Sequence, residues 1–94
     1  MRDTTEQLAR VAGGDTAAFA RFYDGTVHRA WVLARALTRD QRSAEALLRE
    51  AYAVAWRSAG QQPGTGLSPE AWVCALVREA ERAGGGAGRL AVLA

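Results

Sequence analysis

The chain has 94 residues, 49% of them hydrophobic, and a formal net charge of +2. This length allows one domain with a modest core and leaves little room for a second. All 12 basic residues are arginines, and they are spread along the chain among ten acidic residues. A stand-alone nucleic-acid-binding protein usually clusters its basic charge instead. Composition therefore argues against a generally basic binding surface, and any DNA contact has to be local or supported by a partner.

Cysteine usage and hydropathy limit the other classes of protein. Cys74 is the single cysteine, so the chain cannot form an internal disulfide or a cysteine-cluster metal site. It lies in an apolar periodic segment, and we expect it to act as a buried small hydrophobe. There is no charged start followed by an apolar run, and the apolar runs are shorter than the roughly 18 residues of a membrane span. We expect a cytoplasmic protein.

The first third of the chain predicts short helical segments. Asp3 and Glu6 have the spacing of a capping box, which predicts a first helix of about two turns that ends at Gly13 and the glycine after it. Asp15 is the expected cap of the next segment, whose apolar positions keep helical spacing through an interruption at Asp24 and its following glycine. This segment is therefore either two helices or one kinked helix.

The central run from Ala44 to Trp56, AEALLREAYAVAW, predicts an amphipathic helix capped by Asp40 or Ser43 and extending to about Ala59. Its apolar positions form an unbroken stripe that we assign to the core: Ala44, Leu47, Leu48, Ala51, Tyr52 and Ala55. The opposite face is where a functional surface is expected: Glu45, Ala46, Arg49, Glu50, Ala53 and Arg57.

The last third predicts a loop, a helix and a tail. Residues 60–67, GQQPGTGL, have loop composition. Ser68 and Pro69 begin a helix as its cap and first residue, and the helix ends near Ala83. Its predicted apolar side consists of Ala71, Trp72, Ala75, Leu76 and Ala80. Residues 84–94 form a glycine-rich tail that we expect to be flexible, and its terminal LAVLA docks either on a partner or on the domain itself.

No segment alternates with period two, and hairpin signals such as Asn-Gly are absent from the sequence. The predicted fold is all-α, a compact bundle of about four helices in residues 1–83, followed by the tail.

Three motifs stand in order along the chain. Their residues are Gly14, Asp15, Ala18, Phe19 and Tyr23 in the first, Ala44, Glu45, Leu47, Glu50, Tyr52, Ala55 and Trp56 in the second, and Trp72, Val73 and Leu76 in the third. This order resembles region 2 of a bacterial RNA polymerase sigma factor of the extracytoplasmic function (ECF) type. The resemblance covers about residues 5–83 and implies the sigma region 2 fold.

The resemblance also implies partners. In the family, the central helix binds the clamp helices of the RNA polymerase β′ subunit, and the loop and last helix bind the promoter minus-ten element as single-stranded DNA. The implied polymerase-binding residues are Glu45, Arg49, Glu50, Ala53 and Arg57. The implied DNA-binding residues are Gln61, Gln62, Trp72, Arg78 and Arg82. The resemblance implies no metal and no cofactor.

Departures from the family pattern leave alternatives open. Ala46 and Arg49 stand where the family has Asp and Gln. Glu79 stands where the family has Asn, and an acidic side chain in that place is repulsive beside DNA. Nothing in these residues corresponds to the second DNA-binding domain of the family. One alternative is therefore a non-initiating, sigma-like competitor or negative regulator that binds core polymerase or an anti-sigma factor. Another is a small helical interaction protein that shares only the packing pattern.

Catalytic patterns are absent from the sequence. It contains no Gly-x-Ser-x-Gly, no phosphate-binding P-loop and no metal-ligand spacing. We therefore expect that the protein is not an enzyme.

Overall fold

The structure is a computed structural model, and it describes residues 9–83. Residues 9–12 are the described part of helix α1. They are followed by α2 (Thr16–Leu37), α3 (Gln41–Ser58), a 3-10 helix (Ala59–Thr65) and α4 (Pro69–Arg82). Residues 9–83 contain no strand, which confirms the all-α prediction. The predicted capping box at Asp3 and Glu6 and the tail lie outside the described residues.

Helix α2 is one continuous helix. The side chain of Asp15 accepts a hydrogen bond from the Ala18 N–H at 3.0 Å and caps it as predicted. Gly14, with φ of 91°, takes the left-handed conformation that separates it from α1. Gly25 lies inside the helix, where a glycine costs about 1 kcal/mol relative to alanine. Because Phe22 and its neighbours on the same face are buried, packing offsets this cost and the expected interruption does not form.

Helix α3 is capped by Asp40, whose carboxylate accepts from the Ser43 N–H at 2.8 Å. This bond lowers the pKa of the Asp40 carboxyl, and it decides between the two expected caps. The apolar stripe is confirmed, since its six residues are all buried: Ala44, Leu47, Leu48, Ala51, Tyr52 and Ala55.

The segment predicted to be a loop is instead a 3-10 helix over Ala59–Thr65. The Gln62 amide donates to the Leu67 carbonyl at 2.5 Å, and the Thr65 hydroxyl donates to the Gln62 carbonyl at 2.7 Å. Side chains that bond nearby backbone groups in this way stabilise a short turn that composition alone does not indicate.

Helix α4 begins as predicted, with the Ser68 hydroxyl accepting from the Ala71 N–H at 3.1 Å and proline in the first turn. The predicted apolar side is wrong in part, because Ala71 is exposed while Val73 and Val77 are fully buried. The helix packs against both α2 and α3, so its buried face is wider than one stripe and is rotated by about one residue. Short alanine side chains mark the buried face of a helix only weakly.

The core lies where α2, α3 and α4 meet. Phe22 is fully buried there, with ring centroids 6.0 Å from Tyr52 and 6.5 Å from Trp72. One side chain of α2 therefore contacts both other long helices. Within residues 9–83, none of the helices has the length and apolar character needed to cross a bilayer.

Candidate functional site

An open groove of about 670 Å³ lies between α2 and α3. Its floor is aromatic and aliphatic, and its edges carry both signs of charge. The lining residues are Phe19, Tyr23, Glu45, Leu48, Arg49, Tyr52, Ala53, Trp56 and Arg57. We call it the α2–α3 groove.

Aromatic rings in edge-to-face and tilted contacts build the floor of the α2–α3 groove. The ring centroids of Phe19 and Trp56 are 5.3 Å apart at an interplanar angle of 86°. Those of Tyr23 and Tyr52 are 4.7 Å apart at 58°. Aromatic rings favour such geometries over face-to-face stacking. Each ring therefore restrains its neighbour, and the floor is largely preformed.

Part of this aromatic surface is open to solvent. Tyr23 is 38% exposed and Trp56 is 37% exposed. Single exposed apolar residues are common, but two partly exposed aromatic side chains that line the same groove are typical of a binding site.

Tyr52 connects the groove to the core. Its hydroxyl lies 2.6 Å from the Thr26 hydroxyl in a buried hydrogen bond. Burial raises the pKa of Tyr52 to about 12, so the phenol stays neutral at physiological pH. Thr26 also donates to the Phe22 carbonyl, and a bifunctional hydroxyl of this kind fixes the position of the phenol.

The structure brings four of the five predicted polymerase-binding residues together, since Glu45, Arg49, Ala53 and Arg57 all line the α2–α3 groove. The fifth residue, Glu50, lies on another side of α3 and lines a smaller groove between α3 and α4. The five residues therefore belong to two surfaces.

The charges at the edge of the α2–α3 groove are available to a partner. Glu45 accepts a hydrogen bond from the Gln41 amide at 3.1 Å and does not pair with Arg49. Within residues 9–83, neither Arg49 nor Arg57 has an ion-pair partner. Two exposed guanidinium groups thus flank an apolar floor.

The predicted DNA-binding residues are not brought together in the same way. Gln61 and Arg78 are exposed, whereas Gln62 and Trp72 are buried, at 3% and 5% exposure. Arg82 is exposed and paired with Glu79, with 2.8 Å between Nη2 and Oε2. Of the five predicted DNA-binding residues, two are therefore buried and one is paired.

Gln62 has an internal role in this structure. Its amide nitrogen bonds the Leu67 carbonyl, while its Oε1 is buried and has no hydrogen-bond partner within the described residues. The bond closes the segment between the 3-10 helix and α4.

The sequence did not indicate five of the groove-lining residues as binding residues: Phe19, Tyr23, Leu48, Tyr52 and Trp56. Phe19 and Tyr23 stand in the first motif, and both lie on α2, a helix that the resemblance did not single out for binding. Their spacing of four residues puts them on one face, but only the packing of α3 beside α2 turns that face into a groove.

Cys74 is half-buried rather than fully buried, and burial raises the pKa of its thiol. Within residues 9–83, no group of three or more His, Cys, Asp or Glu side chains is placed to hold a metal ion.

Comparison with known proteins identifies the family type. The chain is 38% identical over 74 residues to the ECF RNA polymerase sigma factor SigK of Mycobacterium tuberculosis (strain ATCC 25618 / H37Rv) and of Mycobacterium bovis (strain BCG / Pasteur 1173P2), and 35% identical to that of Mycobacterium ulcerans (strain Agy99). This chain is an ECF sigma factor-like domain. The alignments cover 79% of it and 40% of each relative, so the sigma factor-like domain spans less than half the length of those relatives.

No family model and no solved structure matches the chain. The assignment of the sigma factor-like domain therefore depends on the relatives, together with the ordered motifs and the helical fold.

Proposed function

We propose that this sigma factor-like domain is a transcription regulator that binds RNA polymerase through the α2–α3 groove. The observation that carries the proposal is the preformed aromatic floor flanked by unpaired Arg49 and Arg57. An amphipathic helix can place apolar side chains in such a groove and acidic ones against its edge. The clamp helices of the polymerase β′ subunit are the proposed partner, and the likeness to ECF sigma factors supports this choice.

The binding energy is expected to concentrate in the exposed aromatic residues. Buried aromatic anchors and arginines carry most of the free energy of protein interfaces. Trp56 and Tyr23 are exposed in the free domain and would lose this exposure on binding. Arg57 and Arg49 would add charge complementarity, which mainly accelerates association and selects partners.

Direct binding of the purified chain to core RNA polymerase tests the proposal. We expect Trp56→Ala to weaken binding at least tenfold, a change of about 1.4 kcal/mol. Val32→Ala is the matched control, because Val32 is 55% exposed on α2 and does not line the groove. Comparison of Arg57→Glu with Arg39→Glu, a position that does not line the groove, tests the contribution of charge to binding. Wild-type chain that does not bind core polymerase, or equal losses for Trp56→Ala and Val32→Ala, would contradict the proposal.

A second candidate function is a non-initiating competitor that occupies core polymerase or an anti-sigma factor. The buried positions of Trp72 and Gln62 and the pairing of Arg82 with Glu79 favour it, because they leave few free groups for minus-ten DNA. Recognition of unstacked bases needs exposed stacking surfaces or hydrogen-bonding groups.

In vitro transcription separates the two functions. The competitor reduces transcription by an authentic ECF sigma factor in proportion to its concentration and yields no promoter-dependent transcript with core polymerase alone. An initiating domain yields such transcripts and protects an unpaired minus-ten strand. Binding to an anti-sigma factor without binding to polymerase would transfer the proposal to that partner.

A further inference from the structure

A second groove, of about 340 Å³, lies between α3 and α4, on a different side of α3 from the α2–α3 groove. Val54, Leu76 and Ala80 provide its apolar lining, and Glu50 and Glu79 add two acidic groups. We call it the α3–α4 groove. It combines an apolar surface with negative charge, so it fits a short apolar segment that carries a positive charge.

The chain itself leaves from the edge of this groove. Ala83, which follows the last residue of α4, is one of the lining residues. The sequence continues with Gly-Gly-Gly-Ala-Gly over residues 84–88 and then with Arg-Leu-Ala-Val-Leu-Ala over residues 89–94. Five spacer residues reach at most about 20 Å, and their glycines allow a reversal of direction. The apolar segment is therefore within reach of the α3–α4 groove.

The tail and the α3–α4 groove also carry opposite charges. Arg89 is the one charged residue in positions 84–94, and it directly precedes the apolar residues. Glu50 has no ion-pair partner within residues 9–83, whereas Glu79 is paired with Arg82. Glu50 is thus the acid in the groove that is open to a new cation.

We propose that residues 89–94 of the same chain dock in the α3–α4 groove, with Arg89 on Glu50 and Leu90 and Leu93 on the apolar lining. Docking covers Val54 and Leu76, which are both half-buried in residues 9–83. The proposal does not depend on polymerase binding. It has a consequence for that function, however, because Glu50 is one of the residues predicted to contact polymerase.

Methyl NMR of the 94-residue chain, in the absence of any partner, tests the docking. The double variant Leu90→Asp/Leu93→Asp is compared with Ala87→Asp, a control that adds a charge to the spacer and leaves the apolar segment intact. We expect the methyl signals of Val54 and Leu76 to shift in the double variant and to stay unchanged in the control. Unchanged signals in the double variant would overturn the proposal.

Two further measurements identify the occupant and its contact. Glu50→Arg should shift the same signals, and the double reversal Glu50→Arg/Arg89→Glu should restore them. Lack of restoration overturns the pairing of Arg89 with Glu50. Shifts that depend on protein concentration would indicate a second copy and would overturn docking within one chain. Shifts of the Leu48 and Ala53 methyl signals instead would place the tail in the α2–α3 groove and overturn the proposal as well.

Discussion

The polar face of α3, which lines most of the α2–α3 groove, and the segment of the 3-10 helix and α4 were both predicted to bind a partner, and they differ in what the structure leaves exposed. The groove keeps Trp56 and Tyr23 partly exposed and leaves Arg49 and Arg57 unpaired within the described residues. In α4, by contrast, Trp72 is buried in the core. The same residue types therefore remain partly exposed in one region and stabilise the fold in the other.

The difference has a physical cause. Trp72 lies on a helix that is packed against two others, so its ring contacts Phe22 and is closed off from solvent. Trp56 lies near the end of α3 and contacts Phe19 by one edge, which leaves part of its ring free. An aromatic residue in a sequence motif is thus a binding residue only where the packing leaves a face uncovered.

The two tryptophans give the largest expected contrast. Trp72→Ala should lower the free energy of unfolding by about 3–5 kcal/mol, the usual loss when a buried aromatic side chain leaves a cavity. Trp56→Ala should cost clearly less, because its ring is 37% exposed. Urea unfolding followed by circular dichroism measures both losses. Equal losses would show that the two regions do not differ in this respect.

The next largest effect is the pH dependence of stability that arises from the buried phenol of Tyr52. Its pKa of about 12 in the folded domain exceeds the value of 10.0 for an unperturbed tyrosine. The unfolded chain therefore loses the phenol proton first, so the stabilisation is complete below about pH 10 and is lost as pH rises towards 12. Tyr52→Phe should flatten this loss in thermal unfolding measured from pH 9 to 12. A similar slope in the variant would assign the loss to other groups.

Comparison of Gln62→Ala with Gln61→Ala separates a role inside the fold from a role at the surface. Gln62→Ala removes the bond to the Leu67 carbonyl and should cost about 1–2 kcal/mol in unfolding free energy. Gln61→Ala, at an exposed position, should change stability by less than about 0.5 kcal/mol. Chemical denaturation checks both values. A neutral Gln62→Ala variant would show that the bond to the Leu67 carbonyl does not stabilise the fold.

A small effect on stability is also expected at the pair of Glu79 and Arg82. Both side chains are mostly exposed, at 69% and 68%, and such pairs contribute about 0–1 kcal/mol. Glu79→Gln frees Arg82 and should raise the affinity for single-stranded minus-ten DNA, with a steeper salt dependence. Fluorescence anisotropy at several salt concentrations measures this change. Unaltered affinity would show that the pairing does not limit DNA contact, and Glu70→Gln, in the first turn of the same helix, serves as the charge-matched control.

Regions with strong local signals were predicted correctly. The periodicity of α3 identified all of its buried residues, because a helix core stripe depends only on spacing. Asp15 and Ser68 were identified as caps, since a short polar side chain before an apolar run has few other roles. The 3-10 helix was not predicted, because Gln62 and Thr65 form bonds that composition does not specify.

The candidate site was predicted in part. Glu45, Arg49, Ala53 and Arg57 follow from one face of one helix, and the structure indeed places them together. The contribution of Phe19 and Tyr23 could not be deduced in this way, because it depends on how α2 packs beside α3. Likewise, the place of Glu50 in the α3–α4 groove depends on how α4 packs beside α3.

By itself the sequence determined the all-α class, the caps Asp15 and Ser68, the stripe of α3 and the likeness to ECF sigma factors, because these depend on residues close together in the chain. Tertiary structure alone decided which side chains remain available. Exposure of Trp56, burial of Trp72 and the two grooves on either side of α3 arise from the packing of helices that are distant in sequence. Local spacing fixes a helix face, but only the neighbouring helices decide whether that face is covered.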